Sequence, residues 1–124
     1  MLHDQIADVF NIIKSMEKEG RKECDMPSSK IIEGILAVMK NNNYIGEFKQ
    51  KKNKFNVKLL GKINDCGVIK PRFSVNIDDI IKFEKRFLPS ANVGVLIIST
   101  SKGIVSQGEA VKDNVGGVLL GYVW

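Results

Sequence analysis

The sequence predicts an α/β (α+β) chain made of two small lobes. The N-terminal lobe is predicted as helix, strand, helix and further strands, and the C-terminal lobe as mostly β-sheet with short helices. Three observations predict this. Apolar residues recur at helical spacing early in the chain, strand-like stretches follow them, and residues 93–98 are a continuous apolar run typical of a strand buried on both faces. The length of 124 residues suits one compact domain or two small lobes that share an interface.

The first predicted helix covers residues 4–19 and ends at Gly20. Its apolar side chains recur every three or four positions, which is the spacing of one helix face; they are Ile6, Val9, Phe10, Ile13 and Met16. A short extended segment, 21–26, follows and leads to a predicted turn at Met26-Pro27.

The second predicted helix begins after a serine cap and ends in an asparagine tract. Ser28 or Ser29 can supply the cap, because a serine hydroxyl accepts a hydrogen bond from a backbone N–H of the first turn. The tract 41–43 is three asparagines and ends the helix. The apolar face consists of Ile32, Ile35, Leu36 and Met39.

Strand-like stretches follow the second helix. They cover residues 44–48, 55–60 and roughly 67–70. The lysine-rich segment 49–54 is predicted to be the turn between the first two. A turn near Asn64-Asp65 is the predicted boundary, which places residues 1–64 in the N-terminal lobe and 65–124 in the C-terminal lobe.

The C-terminal lobe is predicted to hold two short helices between strands. Residues 78–87 form the first, stopped by Pro89, with these apolar side chains on one side: Ile77, Ile80, Ile81 and Phe87. The apolar run 93–98 then breaks off abruptly at a polar turn, 99–103. The second helix begins at an S-x-x-E capping box, and a left-handed asparagine can end it; these residues are Ser106, Glu109 and Asn114. A glycine pair, 116–117, precedes the final strand, 118–124.

Composition excludes several classes of protein. With 44% hydrophobic and 27% charged residues the chain is neither disordered nor fibrous. No apolar run approaches the roughly 20 residues of a membrane helix, and no secretion signal opens the chain, so no membrane partner is expected. Cys24, Cys66 and His3 lack zinc-ligand spacing, so we expect free thiols, no metal and no cofactor. The net charge of +5 favours a polyanionic partner.

One pattern resembles a catalytic motif. Residues 99–102 match S-x-x-K, in which one helical turn places a lysine amine beside a serine hydroxyl. Here the pattern follows a strand and precedes Gly103, and neither S-D-N nor K-T-G comes later. The adjacent Asp78 and Asp79 point in different directions on a helix and suit its start. We therefore expect no enzyme, no catalytic residue and no small-molecule substrate.

Two segments suit RNA binding by different means. Residues 49–62 contain six lysines and no acid, which attracts phosphates without reading sequence. A solvated, solubilising hairpin tip explains these lysines equally well. Residues 99–124 hold two lysines, one glutamate and one aspartate, so this neutral segment would bind through hydroxyls, backbone N–H groups and close approach. Taken alone, residues 99–103 also fit an ordinary polar turn.

Five segments and their order resemble one family over nearly the whole chain. Residues 4–8 resemble the family's opening D-P-I-A-D, with Gln5 in place of proline, and 26–30 resemble its P-[AC]-S-K segment. Three segments resemble the archaeal and eukaryotic branch: 44–48, 64–73 and 87–90. The strand, S-T-S-K-G turn, capped helix, G-G and final strand complete the resemblance. The chain is similar to the small ribosomal subunit protein eight family, in its archaeal and eukaryotic cytosolic-type branch.

The resemblance implies an RNA-binding structural protein with two α/β lobes and no catalytic role. A member of this family is a constituent of the small ribosomal subunit, binds the central domain of its rRNA directly, and supports RNA folding and assembly for translation. The implied neighbours are small-subunit proteins five and seventeen. The implied compartment is the cytoplasm, with a nucleolar assembly stage if the chain is eukaryotic. The alternative is a general or regulatory RNA-binding module, for example one that binds its own messenger RNA.

The family's RNA contacts carry over residue by residue. Its S-T-S-x-G turn meets an irregular RNA helix, which implies contacts by Ser99, Thr100, Ser101, Lys102 and Gly103. Its glycine pair faces the same RNA, which implies Gly116 and Gly117. A second contact at the first helix and the start of the second implies Asp4, Lys14, Ser15, Ser29 and Lys30. Charge alone adds candidate phosphate contacts at Lys49, Lys51, Lys52, Lys54, Lys70 and Arg72.

Overall fold

The computed structural model of the chain describes residues 5–69, 74–89 and 93–124. Within these ranges the helices are α1 (Gln5–Lys18), α2 (Lys30–Asn41), α3 (Ile77–Phe87) and α4 (Gln107–Lys112). The strands are β1 (Glu23–Pro27), β2 (Ile45–Lys51), β3 (Lys54–Leu59), β4 (Cys66–Val68), β5 (Ser74–Val75), β6 (Val95–Thr100), β7 (Gly103–Ser106) and β8 (Gly117–Val123). This mixture of helices and strands confirms the predicted α/β class. In the described ranges, no helix has the length and apolar composition to cross a membrane.

The strands form two antiparallel sheets. The N-terminal sheet has the order β1-β3-β2, and the C-terminal sheet has the order β4-β8-β6-β7, with β5 also pairing with β8. The predicted boundary near Asn64-Asp65 lies, in the sequence, between the last strand of one sheet and the first strand of the other. The division into lobes 1–64 and 65–124 stays a prediction.

The first two helices form where the apolar spacing predicts them. Nearly all of their predicted inward side chains are buried, namely Ile6, Val9, Phe10 and Ile13 of α1 and Ile32, Ile35, Leu36 and Met39 of α2. Met16 of α1 is only partly buried, packed against the same core. Ser29, not Ser28, is the N-cap of α2, because its hydroxyl accepts a hydrogen bond from the N–H of Ile32 at 3.3 Å. Asn42 caps the other end and Asn43 has a left-handed φ of 64°, so the asparagine tract ends the helix as predicted.

Two hydrophobic cores flank the C-terminal sheet and account for the apolar run in β6. Val95 and Ile97 belong to the larger core, which also contains side chains of α1, α2 and the N-terminal sheet. Leu96 and Ile98 belong to the smaller core beneath α3 and α4. Successive side chains of a strand point to opposite faces, so a strand between two cores is apolar throughout. The prediction of a strand buried on both faces is confirmed.

The predicted turn over residues 49–54 is wrong, because the strands continue into it. β2 runs to Lys51, β3 begins at Lys54, and these two residues pair across the ladder. Only Lys52 and Asn53 form the turn. A strand needs only every second side chain to face the core, so lysines on the outer side do not end it.

The first strand also runs further than predicted. β1 includes both Met26 and Pro27, so the turn predicted at this pair is wrong. Proline is tolerated here because it ends an edge strand, where its missing N–H breaks no essential ladder bond. The strand predicted at roughly 67–70 is β4, which ends at Val68, and Lys70 lies outside the described residues.

A hairpin replaces the abrupt break predicted at 99–103. β6 continues through Ser99 and Thr100, and β7 pairs back along it from Gly103. β7 was not predicted, because four residues are too few to show alternation and its hydrogen bonds come from β6. The polar turn itself is therefore reduced to two residues.

The two C-terminal helices form as predicted, with one error in their faces. In α3, Ile80 is buried but Ile81 is 61% exposed, so they do not share a side. Consecutive helix residues are rotated by about 100°. In α4, the Ser106 hydroxyl accepts a hydrogen bond from the N–H of Glu109 at 3.3 Å, which confirms the predicted cap. Asn114, with φ of 58°, is left-handed after the helix end, also as predicted.

Candidate nucleic-acid interface

The β6–β7 hairpin carries the S-T-S-K-G residues on an exposed tip. Thr100 pairs with Gly103, so Ser101 and Lys102 form the turn. The Thr100 hydroxyl donates a hydrogen bond to the carbonyl of Gly103 at 2.8 Å and accepts one from the N–H of Lys102 at 3.2 Å. Both bonds close the turn on itself. Ser101, Lys102 and Gly103 are exposed, and Ser99 is half-buried.

Position 103 requires a glycine because of its backbone conformation, not because a larger side chain would lack space. Its φ is 119°, a region that side-chain-bearing residues rarely adopt. A Cβ built on it would meet no heavy atom within 4 Å. The glycine therefore shapes the turn and leaves open space above its own backbone.

The glycine pair lies beside this tip, where it lets three strands approach closely. Gly117 pairs with Thr100 on the neighbouring strand, and its missing Cβ would collide with the carbonyl oxygen of Ser99. A Cβ on Gly116 would likewise collide with the carbonyl oxygen of Val75. The structure thus brings both glycines to the turn, and it gives them a packing role that the sequence did not reveal.

Ser74 completes this edge of the C-terminal sheet and was not predicted. It is exposed on β5 and pairs with Val118, next to Gly117. A two-residue strand shows no pattern in a sequence, so only the pairing reveals its position. Together, Ser74, the glycine pair and the β6–β7 turn form a surface of hydroxyls and backbone, called the neutral edge below. Among these described residues, the one ionic group is that of Lys102.

The start of α2 lies between the neutral edge and the lysine-rich β2–β3 hairpin. The backbone N–H of Ser28 donates a hydrogen bond to the carbonyl of Asn53, in the β2–β3 turn, at 3.0 Å. One helical turn further on, Gly34 packs against Ile104 of β7, close enough that a Cβ would lie 2.9 Å from the Ile104 Cδ1. Ser29 and the exposed Lys30 lie within this segment, so the structure brings these two predicted contacts near both hairpins.

The other predicted contacts on α1 lie elsewhere. The Lys14 Nζ is 3.0 Å from the Asp65 Oδ1, and the Tyr122 hydroxyl donates to the Asp65 Oδ2 at 3.4 Å. The hydrogen bond and charge of Asp65 raise the pKa of Lys14, which holds its ammonium charged. Tyr122 is five residues along β8 from Gly117, roughly 17 Å at strand spacing, so Lys14 lies near the opposite end of that strand.

Ser15, the residue after Lys14 on α1, is exposed. Asp4, Lys70 and Arg72 lie outside the described residues. The four hairpin lysines are all exposed; they are Lys49, Lys51, Lys52 and Lys54.

Ionisable clusters elsewhere offer little chemistry within the described ranges. No group of three or more His, Cys, Asp and Glu residues there could hold a metal ion. Cys24 and Cys66 are free and buried. Burial raises the pKa of the Cys24 thiol to about 11 and that of Cys66 to about 12, so both are protonated at neutral pH.

Comparison with known proteins first defines the class. Residues 4–124 match the family model described as "Ribosomal protein S8". Ribosomal proteins of this kind are a structural, non-enzymatic class.

Three archaeal relatives, each named "Small ribosomal subunit protein uS8", are similar over nearly their full length. The protein of Methanococcoides burtonii is 46% identical over 129 residues, which covers 100% of this chain and 99% of the relative. That of Archaeoglobus fulgidus is 45% identical, with 98% of each chain covered, and that of Caldivirga maquilingensis is 43% identical, with 98% and 97% covered. This chain belongs to the ribosomal protein S8 family, which confirms the resemblance seen in its sequence.

Proposed function

We propose that this chain is a structural constituent of the small ribosomal subunit that binds the central domain of its rRNA directly. In this role it supports folding of the RNA and assembly of the subunit for translation. Membership of the S8 family and the names of the three relatives support the proposal. It acts without turnover, and its neighbours are small-subunit proteins, with five and seventeen the expected ones. It works in the cytoplasm, with a nucleolar assembly stage in a eukaryote.

The observation that carries the proposal is the neutral edge. A protein that recognises RNA by shape places its own hydroxyls and exposed backbone close to the groove and the 2′-hydroxyls of the RNA. The exposed Ser101 hydroxyl and the bare backbone at Gly103 suit that contact, and the Thr100 hydrogen bonds hold them in one geometry before RNA arrives. A preformed contact costs less conformational entropy on binding.

The neutral edge and the lysines have separate tasks in this mechanism. Lysine charges give an attraction that weakens as salt rises, because each phosphate contact releases counterions. Hydroxyl and backbone contacts give selectivity among RNAs and change little with salt. The two contributions can therefore be separated by measuring affinity across a salt series.

The test is equilibrium binding of the full chain to a central-domain fragment of small-subunit rRNA. A uniform double-stranded RNA of equal length is the competitor at each salt concentration. Preference for the fragment that survives moderate salt supports the proposal. Equal, salt-labile binding to both RNAs would leave only non-specific attraction and would overturn it.

Ser101→Ala should weaken binding to the central-domain fragment about five- to tenfold, because a neutral hydrogen bond to RNA is lost. It should leave unchanged the salt slope, which is the slope of the logarithm of affinity against the logarithm of salt concentration. Ser101→Thr is the matched control, since it keeps a hydroxyl at the turn and should retain most of the affinity. A reduced salt slope in Ser101→Ala, or equal losses in both variants, would contradict the role given to this hydroxyl.

A further inference from the structure

We propose that the outer face of the N-terminal sheet, at its hairpin end, is a second phosphate-binding surface that holds an RNA backbone regardless of base sequence. The surface consists of Lys49, Lys51 and Lys54 and is called the lysine face below. This inference rests on the proposed function, because it assigns a further part of the same RNA to a further part of the chain. It replaces the solubilising tip as the explanation of the lysine-rich hairpin.

The register of the hairpin places all three lysines on one side. Lys51 pairs directly with Lys54, and Lys49 is two residues before Lys51, so the three side chains share a face. The opposite side carries Phe48 and Phe55, whose rings contact edge to face with centroids 5.5 Å apart. Phe55 is buried, so this aromatic pair anchors the hairpin to the core and fixes the lysines outward.

The two acidic residues of β1 on this face, Glu23 and Asp25, each have another partner. Glu23 of β1 pairs with Lys58, with 3.8 Å between the Oε2 and the Nζ. The next acid of β1, Asp25, accepts a hydrogen bond from the Asn56 amide at 2.8 Å. At the hairpin end β1 offers Pro27 opposite Lys54.

Among the described residues, the three ammonium groups of the lysine face therefore have no direct carboxylate partner. Within the described parts of the chain, none of its three lysines takes part in an ion pair. This differs from Lys58, four residues after Lys54 on the same face of β3, which is paired with Glu23.

The hairpin tip also carries two features that oppose folding. Like charges directly opposite each other destabilise a strand pair, and Lys51 faces Lys54. Lys52 then has a left-handed φ of 55°, where turns of this length prefer glycine or asparagine. Folding alone favours neither lysine, whereas a bound polyanion neutralises the repulsion and uses the projecting charge of Lys52.

The placement of the tip favours RNA as that polyanion. The hydrogen bond from Ser28 to Asn53 ties the tip to the start of α2, beside exposed Lys30 and near the β6–β7 hairpin. Both hairpins thus adjoin α2, so one extended RNA can reach from the β2–β3 tip to the β6–β7 hairpin. A protein partner would need apolar contacts at the centre of its interface, and the lysine face presents ammonium groups there.

The experiment compares two charge removals on the same sheet face, each in the full chain. The double variant Lys51→Gln/Lys54→Gln removes the opposed pair, and Lys58→Gln removes the lysine that is paired with Glu23. Binding is measured to the central-domain rRNA fragment and to uniform double-stranded RNA across a salt series, with melting temperatures as the check on folding.

The double variant should lower the salt slope by about 2, roughly 1 for each lost phosphate contact, for both RNAs and without changing the preference between them. Its melting temperature should rise by about 1–3 °C, because repulsion within the tip is removed. Lys58→Gln should leave the salt slope as it is. An unchanged slope in the double variant, or an equal decrease in Lys58→Gln, would overturn the proposal.

The two proposals fail in different ways. If the unchanged chain prefers the central-domain fragment but the double variant keeps its salt slope, the lysine face does not bind phosphates and the proposed function stands. If the slope falls as expected but the unchanged chain shows no preference, the proposed function is wrong and the lysine face binds RNA non-specifically. Competition by poly-glutamate that equals competition by double-stranded RNA of the same charge would overturn RNA as the ligand.

Discussion

The two hairpins of this chain close with turns of equal length but opposite construction. In the β6–β7 hairpin, the positive φ falls on Gly103 and the Thr100 hydroxyl makes two hydrogen bonds across the turn. In the β2–β3 hairpin, the positive φ falls on Lys52, and the closing pair carries two like charges.

The difference shows which property each turn preserves. The β6–β7 turn has its positive φ on a glycine and is closed by the Thr100 hydroxyl, so it holds one shape with little strain. The β2–β3 turn is locally destabilised by its opposed lysines and by the left-handed Lys52, but it carries positive charge at its tip. A surface that recognises shape gains from the first construction, and a surface that attracts phosphates gains from the second.

Gly117→Ala should produce the largest effect, because it disrupts the packing beside the shape-preserving turn. The new Cβ would collide with the carbonyl oxygen of Ser99, so β6 and β8 must separate. We expect a loss of about 2–4 kcal/mol in the free energy of unfolding, measured by urea denaturation. Gly108→Ala is the control, since its Cβ finds space within α4 and should be neutral or stabilising by up to about 1 kcal/mol. Similar stability changes in both variants would contradict the close-approach argument.

Thr100→Val tests whether the hydroxyl holds the β6–β7 turn. It keeps the shape of the side chain and removes both hydrogen bonds, to Gly103 and from Lys102. We expect about 1 kcal/mol of lost stability and weaker binding to the central-domain rRNA fragment at an unchanged salt slope. Thr100→Ser retains the hydroxyl and should behave like the unchanged chain. If valine preserves both stability and affinity, the turn does not depend on this hydroxyl.

Lys52→Gly should produce the smallest change in stability, and it should raise stability while it lowers the salt slope. Glycine adopts the left-handed conformation without strain, so we expect about 0.5–1 kcal/mol of added stability together with a salt slope lowered by about 1. Asn43→Gly makes the same backbone change at φ of 64°, away from the lysine face, and should leave the slope unchanged. A loss of stability in Lys52→Gly would remove the difference drawn between the two hairpins.

Local signals were enough to predict much of the fold. The caps at Ser29 and Ser106 and the left-handed Asn114 each follow from one residue type in one position. The core strand within 93–98 follows from its continuous apolar run, since a strand buried on both faces needs such a run and six residues are short for a buried helix.

What the sequence did not predict depends on pairing between distant residues. The strand β7 exists because it lies along β6, and the outward lysines continue β2 because its inward side chains pack on the core. The resemblance named the residues of the neutral edge, but it did not reveal that Thr100 closes the turn or that Gly117 admits a neighbouring carbonyl. Such roles are set by register, which a single sequence does not contain.

The close contact between Gly34 and Ile104 has a consequence for how RNA is held. It couples the β6–β7 hairpin to Gly34 of α2, which is four residues, or about 6 Å along the helix axis, from the first helical residue, Lys30. Ser28, two residues before that start, is hydrogen-bonded to Asn53 in the β2–β3 turn. If RNA binds both hairpins as proposed, an RNA held at one hairpin is presented to the other at high effective concentration. Because the connection is a packed helix and not a flexible linker, this gain is available only to RNAs whose own contact points have matching separation. Under the two proposals, α2 therefore sets the distance between the two RNA contacts.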